Sequence, residues 1–433
     1  MRRWVVSGLW TAGIVVLLVG GFLANSLVKP PPPAAYTGRV ALDEPGYSSN
    51  GTLEKPSRAD LTTVQTALRT RAHAILDGDR AAFLGVVDGD RSAFAKEQRT
   101  VWQNTRQLHF QMLSYTYDGL VEPDAPLHTP SFLAQVTTTY ELKGFDTAPI
   151  QVDDGFTFVK QDGTWKLASV TDAASQFNAK TLPVPWEGAP IRAYGDADYL
   201  AIVDRGQGAL ARHLVALCHE ANTAAGLLLG SQNTRPTVVL ATTHSRGFAK
   251  FSGPDALAVT YRLPTADGLL SGWRLVLNPE YVERVARDPV VLTHELTHLA
   301  TQSYLPYLPA WLAEGTAEYV GWHTAGGLAA QARWRGYTSA RSLPDLLPIS
   351  ANFYLQHVEL NYVQGMALVT WIEQHRGSHA VLALMKAYTA EGTGNPSFDP
   401  DVATEHVLRS TLGMSSAELA REAYAGLNAV AGT

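Results

Sequence analysis

Residues 294–298 read His-Glu-Leu-Thr-His. Two histidines four positions apart share one face of a helix, a single turn from each other. Their imidazoles can grip one divalent cation, and Zn²⁺ suits nitrogen ligands completed by a carboxylate oxygen. Glu295, beside the first histidine, is placed to take a proton from water on such an ion. The flanks describe a buried helix: Val290, Val291 and Leu292 come before the motif, and Leu296, Leu299 and Ala300 complete an apolar face. A hydrolytic zinc site needs a third protein ligand and one position open to water. Residues 309–319, Pro-Ala-Trp-Leu-Ala-Glu-Gly-Thr-Ala-Glu-Tyr, offer two carboxylates, Glu314 and Glu318. These too lie one helical turn apart, and Pro309 suits a first helical turn.

Together the two segments resemble the gluzincin zinc metallopeptidases, whose pattern is H-E-x-x-H, a connection, then W-L-x-E-G-x-A-x-Y. Trp311, Leu312, Glu314, Gly315, Ala317 and Tyr319 occupy every fixed position of the second element. The resemblance is specific over 288–322 and softer over about 190–430. It implies a peptidase MA-like domain with Zn²⁺ held by His294, His298 and Glu314. Glu318 then orients a ligating histidine through its other ring nitrogen, and stays the alternative third ligand. The resemblance further implies a tyrosine early in the later helices that donates to the tetrahedral oxyanion. Tyr362, in Asn361-Tyr362-Val363-Gln364-Gly365, is that position, with His323 and His357 as rival donors. The metzincin extension is absent, because residues 299–304 hold neither its glycine nor its third histidine. The implied activity is zinc-dependent hydrolysis of a peptide or protein substrate, with Glu295 as general base. The alternative is a catalytically inactive zinc domain acting as an extracytoplasmic binding or sensing module. A structural zinc site ranks last, since it needs a fourth protein ligand and none stands at motif spacing.

The elements that must position these groups follow from periodicity. Within 190–433 the pattern predicts a helix over 204–229 and strands over 237–241, 257–262 and 273–277. The gluzincin resemblance implies that one of the last two strands lies at a sheet edge, where an extended substrate could add by β-augmentation. Helices are expected over 361–375, 378–388, 401–412 and 415–427, the last capped by Ser415 or Ser416 with Glu418 in its first turn. Before this, residues 57–180 read as a separate α+β unit. A helix starts at Ser57 or Asp60 and runs through Leu76, with Leu61, Val64, Leu68 and Ile75 on one face. A short helix over 80–87 and another helix over 91–108 precede strands over 108–117, 131–142, 155–160 and 164–170. Asp162-Gly163 is a hairpin turn between the last two. This unit resembles the nuclear-transport-factor-2-like fold in residues 77–83 and 158–167. It has no cluster of histidines and carboxylates, so a structural or ligand-binding role is expected there.

The whole chain has 433 residues, 46% hydrophobic and 17% charged, which fits two globular domains plus extra segments. A net charge of −6 and no Lys/Arg run beyond Arg2-Arg3 exclude a nucleic-acid footprint. Cys218 is the single cysteine, so no intrachain disulfide forms. Residues 4–28 carry no charge and are long enough to cross a bilayer. With Arg2-Arg3 before them, they predict an N-terminal transmembrane helix with a cytoplasmic N-terminus. The expected placement is single-pass in the cell membrane with an extracytoplasmic catalytic domain; a cleaved signal peptide would have a shorter apolar core. Residues 29–56, opening on Lys29 and four prolines, read as a linker.

Overall fold

The computed structural model describes residues 56–121, 123–124, 131–173, 176, 184–230, 232–242, 257–264, 270–287, 289–324 and 346–431. Helix α1 (Arg58–Asp77) starts where Ser57 and Asp60 cap each other: the Asp60 amide donates to Ser57 Oγ and the Ser57 amide to Asp60 Oδ2. Its buried face carries Leu61, Val64, Leu68, Ala72 and Ile75, and Gly78 ends it with φ 78°. Helices α2 (Arg80–Gly85) and α3 (Ser92–Thr105) follow. They precede an antiparallel sheet of β1 (Phe110–Leu120), β2 (Ser131–Leu142), β3 (Ile150–Gln161) and β4 (Thr164–Ser169), paired in chain order. The β3–β4 turn holds Asp162 at φ 49° and Gly163 at φ 77°. Both are positive, as the tight hairpin turn demands.

A second sheet contains β5 (Ile191–Gly195), β6 (Tyr199–Asp204), β7 (Thr237–Ala241), β8 (Ala258–Pro264) and β9 (Leu270–Leu277) in the order β5-β6-β7-β9-β8. The β6–β7 and β7–β9 pairs are parallel. Helix α4 (Gly208–Leu229) is the crossover that the β6–β7 pair requires. The sheet is covered on both faces. Ile202, Val238, Leu240, Val259 and Val276 share a core with Leu68, Phe83, Phe132 and Phe158 of the first unit. Tyr199, Ala201, Val203, Val239 and Leu275 face α4 and the helices beyond. A buried ion pair ties the two units: Arg274 Nη2 donates to Asp146 Oδ2 at 3.0 Å, and Nη1 lies 2.9 Å from Oδ1.

The remainder is helical: α5 (Val282–Arg287), α6 (Pro289–Ala300), a 3₁₀ turn at Leu305–Tyr307, α7 (Ala310–Thr324), α8 (Ser350–Phe353), α9 (Val358–Arg376), α10 (Ser378–Gly392), α11 (Pro400–Leu412) and α12 (Ser416–Ala431). Helix α6 is buried on every side from Val290 to Ala300. Helix α7 crosses α9 where two glycines meet: a Cβ at Gly315 would fall on the backbone of Gly365, and one at Gly365 would come 2.8 Å from the Trp311 carbonyl oxygen. Gly321 plays the same part against α6, where a Cβ would meet the Val290 carbonyl oxygen at 2.9 Å. Backbone cannot yield as a side chain can, so Gly315→Ala should destabilise the fold by about 1–3 kcal/mol. Urea unfolding of the variant beside the parent measures it; an unchanged midpoint would mean the helices can separate freely.

The membrane-spanning element of the expected fold class is corrected. Residues 4–28 lie outside the described residues, and among these no helix is long and apolar enough to cross a membrane. The long described helices are interrupted by polar groups; α4 alone carries Arg212, His213, His219, Glu220 and Asn222. The architecture of the described residues is mixed α+β, and nothing in them supports the expected placement as a single-pass membrane protein. The 29–56 linker also lies almost wholly outside the described residues.

Candidate active site

The three buried residues His294, His298 and Glu314 come together between α6 and α7. His294 Nε2 lies 3.1 Å from His298 Nε2 and 3.2 Å from Glu314 Oε2, and His298 Nε2 lies 3.5 Å from the same oxygen. Ligand atoms about 2.0–2.1 Å from a tetrahedral Zn²⁺ stand about 3.3 Å from one another. The triangle therefore has the size and chemistry for that ion. Two imidazole nitrogens at 3.1 Å cannot both carry protons toward each other, which also suits a shared cation. Glu318, the rival carboxylate, lies elsewhere: its Oε1 is 3.3 Å from His294 Nδ1, and its Oε2 accepts from Trp322 Nε1 at 2.6 Å. That contact is on the outer nitrogen of His294, where a carboxylate fixes the tautomer that leaves Nε2 free to ligate. It is an ion-pair contact rather than a hydrogen bond.

Electrostatics follow from burial against these neighbours. Burial opposes the charged form of His294, yet the hydrogen bond to Glu314 and the adjacent Glu318 carboxylate outweigh it and push its pKa up to about 10. The field that holds a proton there would also favour a cation. Burial raises the Glu314 carboxyl, but the His298 charge and the bonds from both histidines hold it down at about 2. Glu295 is raised by burial, against the lowering effect of His294, His298 and Thr260. A raised carboxyl is what a general base needs to work closer to neutral pH.

Two contacts escaped the sequence reading. Thr260 Oγ1, on β8, donates to Glu295 Oε2 at 2.6 Å. Tyr354 Oη donates to Glu314 Oε1 at 2.7 Å. Neither carries a motif; only a strand run preceding the helix pointed toward β8. Tyr362 is fully buried with its ring 6.1 Å from that of His294, and burial pushes its phenol well above the ordinary range. The rivals are elsewhere: His323 and His357 are exposed, the latter at the start of α9 with φ 51°. The sheet order leaves β8 at the edge and β9 inside, which separates the two strands that the sequence left open.

One further set of possible ligands exists among the described residues, Asp196, Asp198 and His219. It is largely exposed, and Asp196 is used locally: Oδ1 accepts from the Asp198 and Tyr199 amides and Oδ2 pairs with His219. The buried triangle is the candidate.

No protein-family model matches the chain, and no curated protein matches it. Similar solved structures include M1 zinc metallopeptidases. A mutant of the Deinococcus radiodurans enzyme bound to a Tyr-Ser-Ala substrate is 15% identical, with 75% of this chain and 71% of that chain covered and a TM-score of 0.33. The M1 zinc metallopeptidase from Deinococcus radiodurans gives 15%, 72%, 70% and 0.32. A two-domain M1 zinc metallopeptidase mutant bound to L-tryptophan gives 16%, 72%, 70% and 0.33. Identity and score are both low, and the reading of the site rests on its own geometry.

Proposed function

We propose that this chain is a zinc-dependent peptidase, with the ion held by His294, His298 and Glu314. The observation that carries this is the convergence of two imidazole nitrogens and one carboxylate oxygen within 3.5 Å, with Glu295 on the same helix. Bound there, Zn²⁺ supplies Lewis acidity, which makes water a nucleophile near neutral pH and polarises a carbonyl. Glu295 takes the proton of the attacking water and returns it to the leaving amine. Thr260 holds one oxygen of Glu295, so the other is left to face the water. Tyr362 donates to the oxyanion, and Tyr354 steadies Glu314 from the side away from the histidines. An extended peptide adds to the outer edge of β8, the strand that also carries Thr260. Three helices against a four-stranded sheet support the nuclear-transport-factor-2-like reading of 57–180, with 190–433 as the peptidase domain.

The test is turnover of a quenched peptide library by the full chain, stripped of metal and then restored with zinc. Zinc-restored cleavage is expected; a folded, zinc-loaded chain that cleaves nothing would leave only a binding role. The two tyrosines separate by readout. Tyr362→Phe should lower kcat by about tenfold to a hundredfold at full zinc occupancy, as for an oxyanion donor. Tyr354→Phe should weaken zinc retention more than kcat, because it touches a ligand. Equal effects of both on kcat alone would contradict this division.

A further inference from the structure

The first unit encloses polar side chains that the proposed peptidase reaction does not use. Arg71, on α1, is 1% exposed. Its Nη2 donates to Gln98 Oε1 at 2.7 Å, and its guanidinium carbon lies 4.3 Å from the centre of the Phe83 ring. Its Nε and Nη1 have no hydrogen-bond acceptor among the described residues, and no carboxylate there pairs with it. A buried guanidinium without a counter-charge is costly, and proteins normally pair it.

Arg71 has company. The Tyr115 ring lies 5.6 Å from its guanidinium carbon, and the Tyr115 hydroxyl has no partner. Thr138 faces Tyr115 across the β1–β2 register, and its Oγ1 has none either. Trp186 is fully buried, packed edge-on against Phe110 and Tyr140, and its Nε1 is unpartnered. Burial raises the Tyr115 phenol and the nearby Arg71 charge lowers it, so the two groups share one environment. Arg71 Nε and Nη1 and Trp186 Nε1 are thus buried donors without an acceptor, beside two hydroxyls that can donate or accept and have no partner within hydrogen-bond geometry.

Exposure rises toward one end of the cluster. Along the same sheet face, the next register row holds Tyr117, Val136 and Asp154. Tyr117 and Asp154 are half-buried, as is Glu187 beside Trp186.

We propose that the interior of the 57–180 unit, closed by Trp186, binds a small organic carboxylate, whose oxygens are received by Arg71, Tyr115 and Trp186. The carboxylate supplies the missing charge and the missing acceptors together. Its remaining atoms point past Asp154 and Glu187. A charge-assisted hydrogen bond is stronger than a neutral one, so affinity concentrates on Arg71.

The experiment titrates the full-length chain with acetate and with glycine by calorimetry, using methylammonium as the control cation. Saturable one-to-one binding of at least one carboxylate is expected, and none of methylammonium. Tyr115→Phe keeps the ring and removes one donor; it should weaken binding about tenfold. Arg71→Met should abolish binding, with folding checked by circular dichroism. If that variant does not fold, Tyr115→Phe and Trp186→Phe still decide the question. Absence of saturable carboxylate binding to the folded parent overturns the proposal. So does binding that survives Tyr115→Phe and Trp186→Phe unchanged. Peptide hydrolysis is not a readout here, so the peptidase reading and this one can fail separately.

Discussion

Glu295→Gln should leave zinc in place and lower peptide hydrolysis by a factor of about a hundred or more. The substitution keeps the side chain's size, so the fully packed α6 has no cavity to close. Glutamine can still accept from Thr260 Oγ1, which bonds the glutamate at 2.6 Å. What disappears is the basic oxygen. Neither Glu295 oxygen belongs to the His294–His298–Glu314 triangle, so metal content should not change. Elemental analysis and turnover of a quenched peptide library, measured on the same preparation, test both halves. A variant as fast as the parent would end the general-base assignment. A variant that loses zinc would move Glu295 into the ligand set.

The second large effect concerns the ligands. His294→Ala and Glu314→Ala should each strip the chain of zinc and of hydrolysis together. In His294→Ala the triangle loses the nitrogen that lies 3.1 Å from His298 and 3.2 Å from Glu314. In Glu314→Ala it loses its only negative charge, and Tyr354 loses its acceptor. Glu318→Ala should be milder, with metal affinity down by about ten- to a hundredfold, as for a group that orients a ligand. Because an ion that binds only the folded chain stabilises it, the parent should melt higher with zinc than without, and Glu314→Ala should not. Competition against a chromogenic chelator ranks the variants. Full zinc in Glu314→Ala with loss in Glu318→Ala would exchange the roles of the two carboxylates.

The contacts that surround these groups divide by their distance along the chain. Helix α1 was legible to its first turn, because the Ser57–Asp60 capping box and the spacing of Leu61, Val64, Leu68 and Ile75 are local. The same holds for the Asp162-Gly163 turn, whose residues adopt positive φ by their own chemistry. Strands β5 and β6 were missed. Ile191–Gly195 is short and only its first residue is buried; β6, Tyr-Leu-Ala-Ile-Val-Asp, is an apolar run like β7 that the sequence reading passed over.

At the site, the sequence alone determined what one helix can hold. The spacing of His294, Glu295 and His298 follows from 3.6 residues per turn, and so does the pairing of Glu314 with Glu318 on α7. Which carboxylate meets which nitrogen could not follow from that spacing. It depends on how closely α7 approaches α6 and α9, and Gly315, Gly321 and Gly365 set that approach by letting backbones touch. The partners of Glu295 and Glu314 come from 35 and 40 residues away, on β8 and just after α8. Neither Thr260 nor Tyr354 has a local pattern, since a hydroxyl becomes a partner only when packing delivers it. Periodicity specifies the face a residue occupies; only the packed chain decides what that face meets.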